Sequence, residues 1–216
     1  MSTHLPVDHV ILPVTDLAAA GDAFASAGFI VTPETRHSEA MGTANRCIML
    51  DGCYIELLAV IAETPANRPW RRLLRDGPGL GGIALASRDI ETTAADLAAR
   101  AIRAEPVRHF SRTTDAGELR FSIIRIDPAE TPGLQCLVCR HHTPDLLWRP
   151  DLLAHPNGAT MLRQIALPEA EALDRFAGDP GIPVVSGAAR LTLSGPHAAV
   201  HDLRSVCGLV VEIAAP

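Results

Sequence analysis

His9 and Glu56 are the side chains whose type and setting most plainly invite chemistry. His9 stands in the middle of an apolar run at 7–14, and Glu56 in the middle of another at 52–60. A carboxylate buried in such a strand without a partner costs several kcal/mol or takes up a proton. Keeping Glu56 there implies a metal, an arginine or a histidine for it to hold. Strand alternation predicts Val7, His9 and Ile11 on one face, and Tyr54, Glu56 and Leu58 on one face. In a curled sheet both faces look into the same cup. An imidazole and a carboxylate suit Zn, Ni, Mn, Co or Fe, although catalytic sites generally use three or more protein ligands and keep an open position. The same two groups also make an ion pair or hydrogen bond lining a metal-free pocket, and both readings stand at this level.

Other polar side chains fall where a ligand would meet them. Arg112 and Arg120 lie on predicted strands facing the cup or its rim, and arginine grips carboxylate or phosphate with two parallel donors. Arg112 is equally suited to a surface pair with Asp115 or Glu118. Asn45 sits in mid-strand, where a buried amide needs a ligand or the backbone as partner. His109 and Trp148 are further candidates for the pocket, although a tryptophan in a Pro-rich connector also serves to anchor it. His142 ends a predicted strand. No nucleophile elbow of the G-x-S-x-G type and no Walker A motif occur.

The elements that must position these residues follow from periodicity. A strand at 7–14 leads to Asp16 as a helix cap, with Leu17, Gly21, Phe24 and Gly28 on one helical face and Gly28 as the stop. A second strand is predicted from 30–32, a polar bend over 36–41, a third strand at 43–50, a tight turn at Asp51-Gly52 and a fourth strand at 53–60. The order is βαβββ. The pattern then returns at a gap-free offset of 73: Asp16-Leu17 as Asp89-Ile90, Phe24-Ala25 as Leu97-Ala98, Gly28-Phe29 as Ala101-Ile102, Pro33 as Pro106. The second copy has predicted strands at 79–87, 106–110, 119–126 and 134–140 and a helix at 90–101. A repeat of this kind predicts two equivalent modules paired into one sheet.

The resulting division is module one at 1–60, module two at 79–142 and a degenerate third at 157–216. Pro-rich connectors occupy 61–78, with a short helix around Trp70, and 143–156. The third segment reads as strands at 161–167, 190–193 and 208–213, with helices at 169–177 and 196–206. Residues 164–168 run parallel to 9–13, and Gly208 to Glu212 parallel to Gly52 to Glu56. Three modules are odd in a fold that pairs them. The apolar strands of the third need cover, which predicts a two-fold homodimer.

With 216 residues, 47% hydrophobic and 20% charged, the chain reads as a soluble globular protein. It shows neither a signal-peptide pattern nor an apolar run long enough for a membrane span, so a cytoplasmic location is expected. A net charge of −6 argues against nucleic acid as partner and leaves a small molecule. All 19 basic residues are arginine, which excludes Schiff-base chemistry on a lysine. The five cysteines are odd in number and scattered, as expected of buried, reduced thiols. Cys136 and Cys139, three apart on a strand, should point to opposite faces.

Several of these residues together resemble the glyoxalase, bleomycin-resistance and extradiol-dioxygenase superfamily, also called vicinal oxygen chelate proteins, and most closely its glyoxalase-like branch. They are Asp8-His9-Val10 with Asp16-Leu17, Gly42-Thr43-x-Asn45, Tyr54-Ile55-Glu56-Leu57, Ser111-Arg112 with Asp115-x-Gly117, and His155-Pro156-Asn157-Gly158. The resemblance implies an α+β fold in which tandem βαβββ modules curl mixed sheets into a cup. It also implies a divalent metal held by one residue of the first strand and one of the last strand of each module. His9 and Glu56 would be the module-one ligands, but Gly82 and Leu137 occupy the matching positions of module two. By the third-module match, Gln164 and Glu212 would complete a set of four. Asn45, Tyr54, Arg112, Arg120 and Trp148 would contact substrate. The function implied is a lyase or isomerase acting on a small oxygen-rich metabolite, with Glu56 or Glu212 moving a proton. A metal-free small-molecule binder is the rival, and a ring-cleaving dioxygenase a third alternative.

Overall fold

The structure is a computed structural model describing residues 5–114, 117–176 and 182–216. Strand β1 (Val7–Pro13) leads into helix α1 (Leu17–Ser26), then β2 (Thr35–Arg36), β3 (Thr43–Leu50) and β4 (Cys53–Val60). A connector follows, with the short helix α2 (Arg68–Leu73) and a 3-10 turn (Leu74–Asp76). The order then repeats as β5 (Gly82–Ala86), α3 (Ile90–Ala99), β6 (Arg108–Thr114), β7 (Gly117–Arg125) and β8 (Gln135–His141). A second connector holds a 3-10 turn (Pro144–Leu146) and α4 (Pro150–Leu153). The rest comprises β9 (Leu162–Leu167), a 3-10 turn (Ala170–Leu173), β10 (Val184–Ser186), β11 (Arg190–Ser194), β12 (Ala199–Asp202), α5 (Arg204–Cys207) and β13 (Val210–Ala214).

The repeat at offset 73 is written into the backbone. Asp16 caps α1 by accepting from the Ala19 amide, and Asp89 caps α3 by accepting from the Thr92 amide. Two residues past each helix the chain takes a positive φ, at Gly28 (83°) and at Ala101 (54°). Glycine adopts that conformation without penalty, whereas alanine pays about 1 kcal/mol for it.

Eight strands form one sheet in the order β2-β3-β4-β1-β5-β8-β7-β6. The two halves meet where β1 and β5 pair antiparallel, and within each half the first strand pairs parallel with the last, β1 with β4 and β5 with β8. One face packs into the main core: Val10, Leu12, Ile55, Leu57, Ile83, Leu85 and Val138 lie there with Phe24 and Leu97 of the helices. The other face lines the cup.

The five-stranded sheet, β10-β9-β11-β13-β12, departs from the module plan. Its first strand pairs with β10 and β11, and β13 pairs with β11 and β12, so β9 and β13 are not neighbours as β1 and β4 are. Ile165, Leu167, Leu191, Leu193, Val211 and Ile213 are all buried in the main core of the same chain. The apolar face that predicted a second copy is therefore already covered.

Several element boundaries differ from the sequence expectation, each for a local reason. Thr32 makes isolated contacts with Cys47, but Pro33 lacks the N–H needed to continue a ladder, and the paired strand begins at Thr35. Residues 196–206 form β12 and a single helical turn instead of a helix, because Ala199 to Asp202 pair along β13 at the sheet edge. The helix expected at 169–177 is a 3-10 turn pinned by buried Ala170 and Leu173, and Ala177 lies outside the described residues. Among the described residues no helix is long and apolar enough to cross a membrane.

Trp70, delivered by α2, packs with Ile11 and Leu58 on the cup side. A Cβ on Gly82 would stand 2.9 Å from its ring, so the missing side chain of Gly82 makes the space that Trp70 fills. Trp70→Ala should lower stability by about 3 kcal/mol or more by opening a cavity there. Ile61→Ala, at a residue 47% exposed, should change it by no more than about 0.5 kcal/mol. Urea denaturation of the two variants checks this.

Candidate active site

The polar end of the cup starts from an irregularity in β1. The pairing with β5 runs Val7 to Leu85 and then His9 to Ala84, so Asp8 is one residue too many on its strand. This bulge breaks the alternation that the sequence alone predicts. Val7 goes to the main core with Val10 and Leu12, while Asp8 turns inward beside His9. Grouping Val7 with His9 and Ile11 was the error of strict parity. On β4 parity holds, and Tyr54, Glu56 and Leu58 all line the cavity.

Asp8 is 5% exposed and accepts from two imidazoles, His9 Nδ1 at 2.6 Å and His141 Nε2 at 3.0 Å. Burial pushes its carboxyl pKa up, but the hydrogen bonds from His141 and His9 and their charges outweigh burial and bring it down to about 2. An ionised carboxylate can only accept, so both partner nitrogens carry protons; this assigns the tautomers from the network. The other nitrogen of His9, Nε2, faces Glu56 Oε2 at 3.6 Å. The second oxygen of Glu56, Oε1, accepts from Asn45 Nδ2 at 2.5 Å. Tyr54 stacks on the His9 ring with centroids 4.3 Å apart and fixes its plane. Burial first, then Asp8 and Glu56, push the Tyr54 hydroxyl well up, so it stays protonated.

The opposite wall is apolar, with Phe110, Leu119, Phe121, Ile123 and Leu137. Arg112 lies over the Phe121 ring, 5.8 Å from its centroid, and its buried Nε has no hydrogen-bond partner among the described residues. Arg120 and Arg125 also border the space. The cavity volume of about 110 Å³ is several times what one ordered water needs. His37 closes one side; its pKa is lowered, by burial first, against the opposing pull of Glu56 and with Arg112 and Arg125 adding to the fall.

The structure thus brings His9, Glu56, Asn45, Tyr54, Arg112 and Arg120 to one cavity. Trp148 does not line it: its indole N–H donates to the Leu50 carbonyl at 3.0 Å and its ring packs on Tyr54, so it anchors the connector. His109 and His142 turn away from the cavity and share the Ser122 hydroxyl at 2.7 Å each. Gln164 and Glu212 lie in the five-stranded sheet, both beside Thr192, and Glu212 pairs with Arg190 at 2.5 Å. Asp115 lies outside the described residues. Sequence reasoning missed Asp8, His37, Cys139 and His141. Parity could have found two of them: Leu137 matches Glu56, so Cys139 and His141 must share its face and His142 must not. As expected, Cys136 faces the core and Cys139 the cup.

A curled sheet of two βαβββ halves around such a cup defines a protein of the vicinal oxygen chelate superfamily. The family described as a glyoxalase-like domain matches residues 7–178, and the chain belongs to that family. Among solved structures, a hypothetical protein from Staphylococcus aureus superposes with a TM-score of 0.72 at 13% identity, covering 98% of this chain and 100% of that one. Methylmalonyl-CoA epimerase from Mycobacterium tuberculosis gives 0.50 at 23% identity, covering 65% and 91%. The Streptomyces coelicolor methylmalonyl-CoA epimerase in complex with 2-nitronate-propionyl-CoA gives 0.50 at 21%, covering 65% and 99%. At these identities the likeness is one of fold. No curated protein matches the chain.

The four-ligand metal site of this fold does not fit the residues present. The pairing of β5 with β8 sets Gly82 opposite Gln135 as β1 with β4 sets His9 opposite Tyr54, so Gly82 and Leu137 hold the places of His9 and Glu56. Neither can ligate, Trp70 fills the first place, and Gln164 and Glu212 are in the other sheet.

Asp8 makes a pH-dependent contribution to stability. Its folded pKa lies below the ordinary 3.8, so the contribution is complete above about pH 4 and is lost as the pH falls from there through about 2. The difference corresponds to about 2 kcal/mol. Acid titration of unfolding free energy should show this loss in the parent protein, and Asp8→Asn should flatten it.

Proposed function

We propose that this chain is an enzyme of the lyase or isomerase type that moves a proton on a small, oxygen-rich, anionic metabolite, with Glu56 and His9 as its acid–base pair. The single observation that carries this reading is His9 Nε2 facing Glu56 Oε2 across 3.6 Å, near enough to exchange a proton, beside a cavity wide enough for a ligand. Asp8 engages His9 Nδ1 and so directs Nε2 at Glu56, and Asn45 engages only Oε1 of Glu56.

Glu56 Oε2 takes the proton from a carbon next to a carbonyl, and the electron pair of the broken bond moves onto the carbonyl oxygen. The proton is passed to His9 Nε2, whose imidazolium Asp8 stabilises, or is returned to the carbon. Arg112 offers donors for the substrate carboxylate or the developing oxyanion, and stacking on Phe121 keeps its plane in place. The methylmalonyl-CoA epimerases of similar fold agree with this class of chemistry without naming the substrate of this chain. A metal-free binding protein is the second reading, favoured by the aromatic wall at Phe110 and Phe121.

Exchange of α-hydrogens in deuterated water, followed by proton NMR over a panel of small 2-oxo and 2-hydroxy carboxylates, tests the proposal. Chelator-treated protein should exchange at least one of them. Glu56→Gln should slow that exchange by about 10²–10⁴ while ligand binding changes little, and Arg112→Ala should weaken binding about tenfold or more. A ligand that binds in the cup without exchange of any of its hydrogens would favour the binder instead.

A further inference from the structure

We infer that Asp8, Cys139 and His141 form a site for a soft divalent transition metal, zinc above all, displaced by one residue along β1 and by two and four along β8 from the positions where the fold ordinarily holds its metal. Each offers one ligand atom, and the three atoms lie within 4.8 Å of one another. The site stands whether or not Glu56 moves a proton.

Local structure delivers the three groups without strain. Cys139 and His141 are two apart on β8 and so share its cup face. Asp8 joins them only because the bulge in β1 turns it inward. Strand β5 lies between β1 and β8, and there it presents Ala84, opposite His9, and Ala86, opposite Cys139. These short side chains let the carboxylate of β1 reach the imidazole of β8 above them, and the contact is made at 3.0 Å.

The distances suit a metal. A thiolate and an imidazole on one tetrahedral zinc, with bonds of about 2.3 and 2.05 Å, stand about 3.5 Å apart. Cys139 Sγ and His141 Nε2 are 3.6 Å apart. A thiolate ligand favours zinc, iron or cobalt and disfavours magnesium or calcium. A bound cation would displace the Cys139 thiol proton and the His141 Nε2 proton that otherwise meets Asp8. Cys139 and His141 line the cavity, so the fourth position opens toward a ligand. Both imidazoles reach the same Asp8 oxygen, Oδ1, so Asp8 would link a metal at Cys139 and His141 to the Nδ1 proton of His9.

Cobalt titration of the chelator-treated, reduced protein tests the site with the metal alone. One equivalent should give tetrahedral d–d absorption and a near-ultraviolet thiolate-to-cobalt band, and one equivalent of zinc should abolish both and raise the Tm. Cys139→Ala should lose the thiolate band, and both Cys139→Ala and His141→Ala should bind zinc more weakly by more than the ~10–100-fold typical of losing an outer-shell partner. Glu56→Gln should keep the band, and circular dichroism should show each variant folded. Stoichiometric cobalt without a thiolate band, a band that survives Cys139→Ala, a band lost in Glu56→Gln, or no stoichiometric binding would each overturn the inference.

Discussion

An ionised carboxylate inside an apolar sheet must be met by donors, and the polar half of this protein is arranged around meeting that demand at Asp8. Burial alone would drive the group toward protonation. Two imidazoles from strands on opposite sides of β5 prevent it. The consequence passes outward along the hydrogen bonds: each imidazole donates toward Asp8, so His9 turns its other nitrogen, Nε2, to Glu56. The tautomer of His9, and with it the chemistry available at the cup floor, is set by a residue that lies beside the cavity.

The two halves of the eight-stranded sheet share a backbone plan and divide the chemistry. The first half contributes His9 and Glu56 to the cavity, with Asn45 on the Glu56 carboxylate and Tyr54 stacked on the His9 ring. In the second half the corresponding places hold Gly82 and Leu137, and the space is taken by the Trp70 ring. What remains on that side is an aromatic wall carrying a guanidinium over Phe121. A cup with one polar wall and one apolar wall bearing a fixed positive charge orients any ligand that has an anionic head and a small body, because only one direction satisfies both walls.

The five-stranded sheet buries an apolar face that the paired modules could not cover by themselves. Leu193, Val211 and Ile213 join Phe24 and Leu97 in a single core. This sheet supplies no group to the cavity, and its Arg190–Glu212 pair is exposed enough that its contribution to stability is small. Its role is to bury apolar surface, and the residues that seemed to offer ligands there hold the sheet's own outer face.

The sequence by itself determined the modular plan. Helix caps at Asp16 and Asp89, the stop at Gly28 and the alternation of β4 are local effects of backbone sterics and side-chain reach, and local effects survive in one dimension. It also placed Glu56, Tyr54 and Leu58 on one cup-facing row, because period-two alternation holds wherever a strand is regular. Tertiary structure decided the rest. The bulge at Asp8 arises from the register between β1 and β5, which no property of 7–14 encodes, and it moved Val7 out and Asp8 in. Similar apolar strands made Gln164 and Glu212 look like partners of His9 and Glu56, since an apolar run records that a strand is buried but leaves its neighbours open. His141 was one residue from the candidate chosen, His142. Whether a strand-end histidine meets a carboxylate two strands away depends on small residues between them, and Ala84 and Ala86 do that work only once β5 lies between β1 and β8.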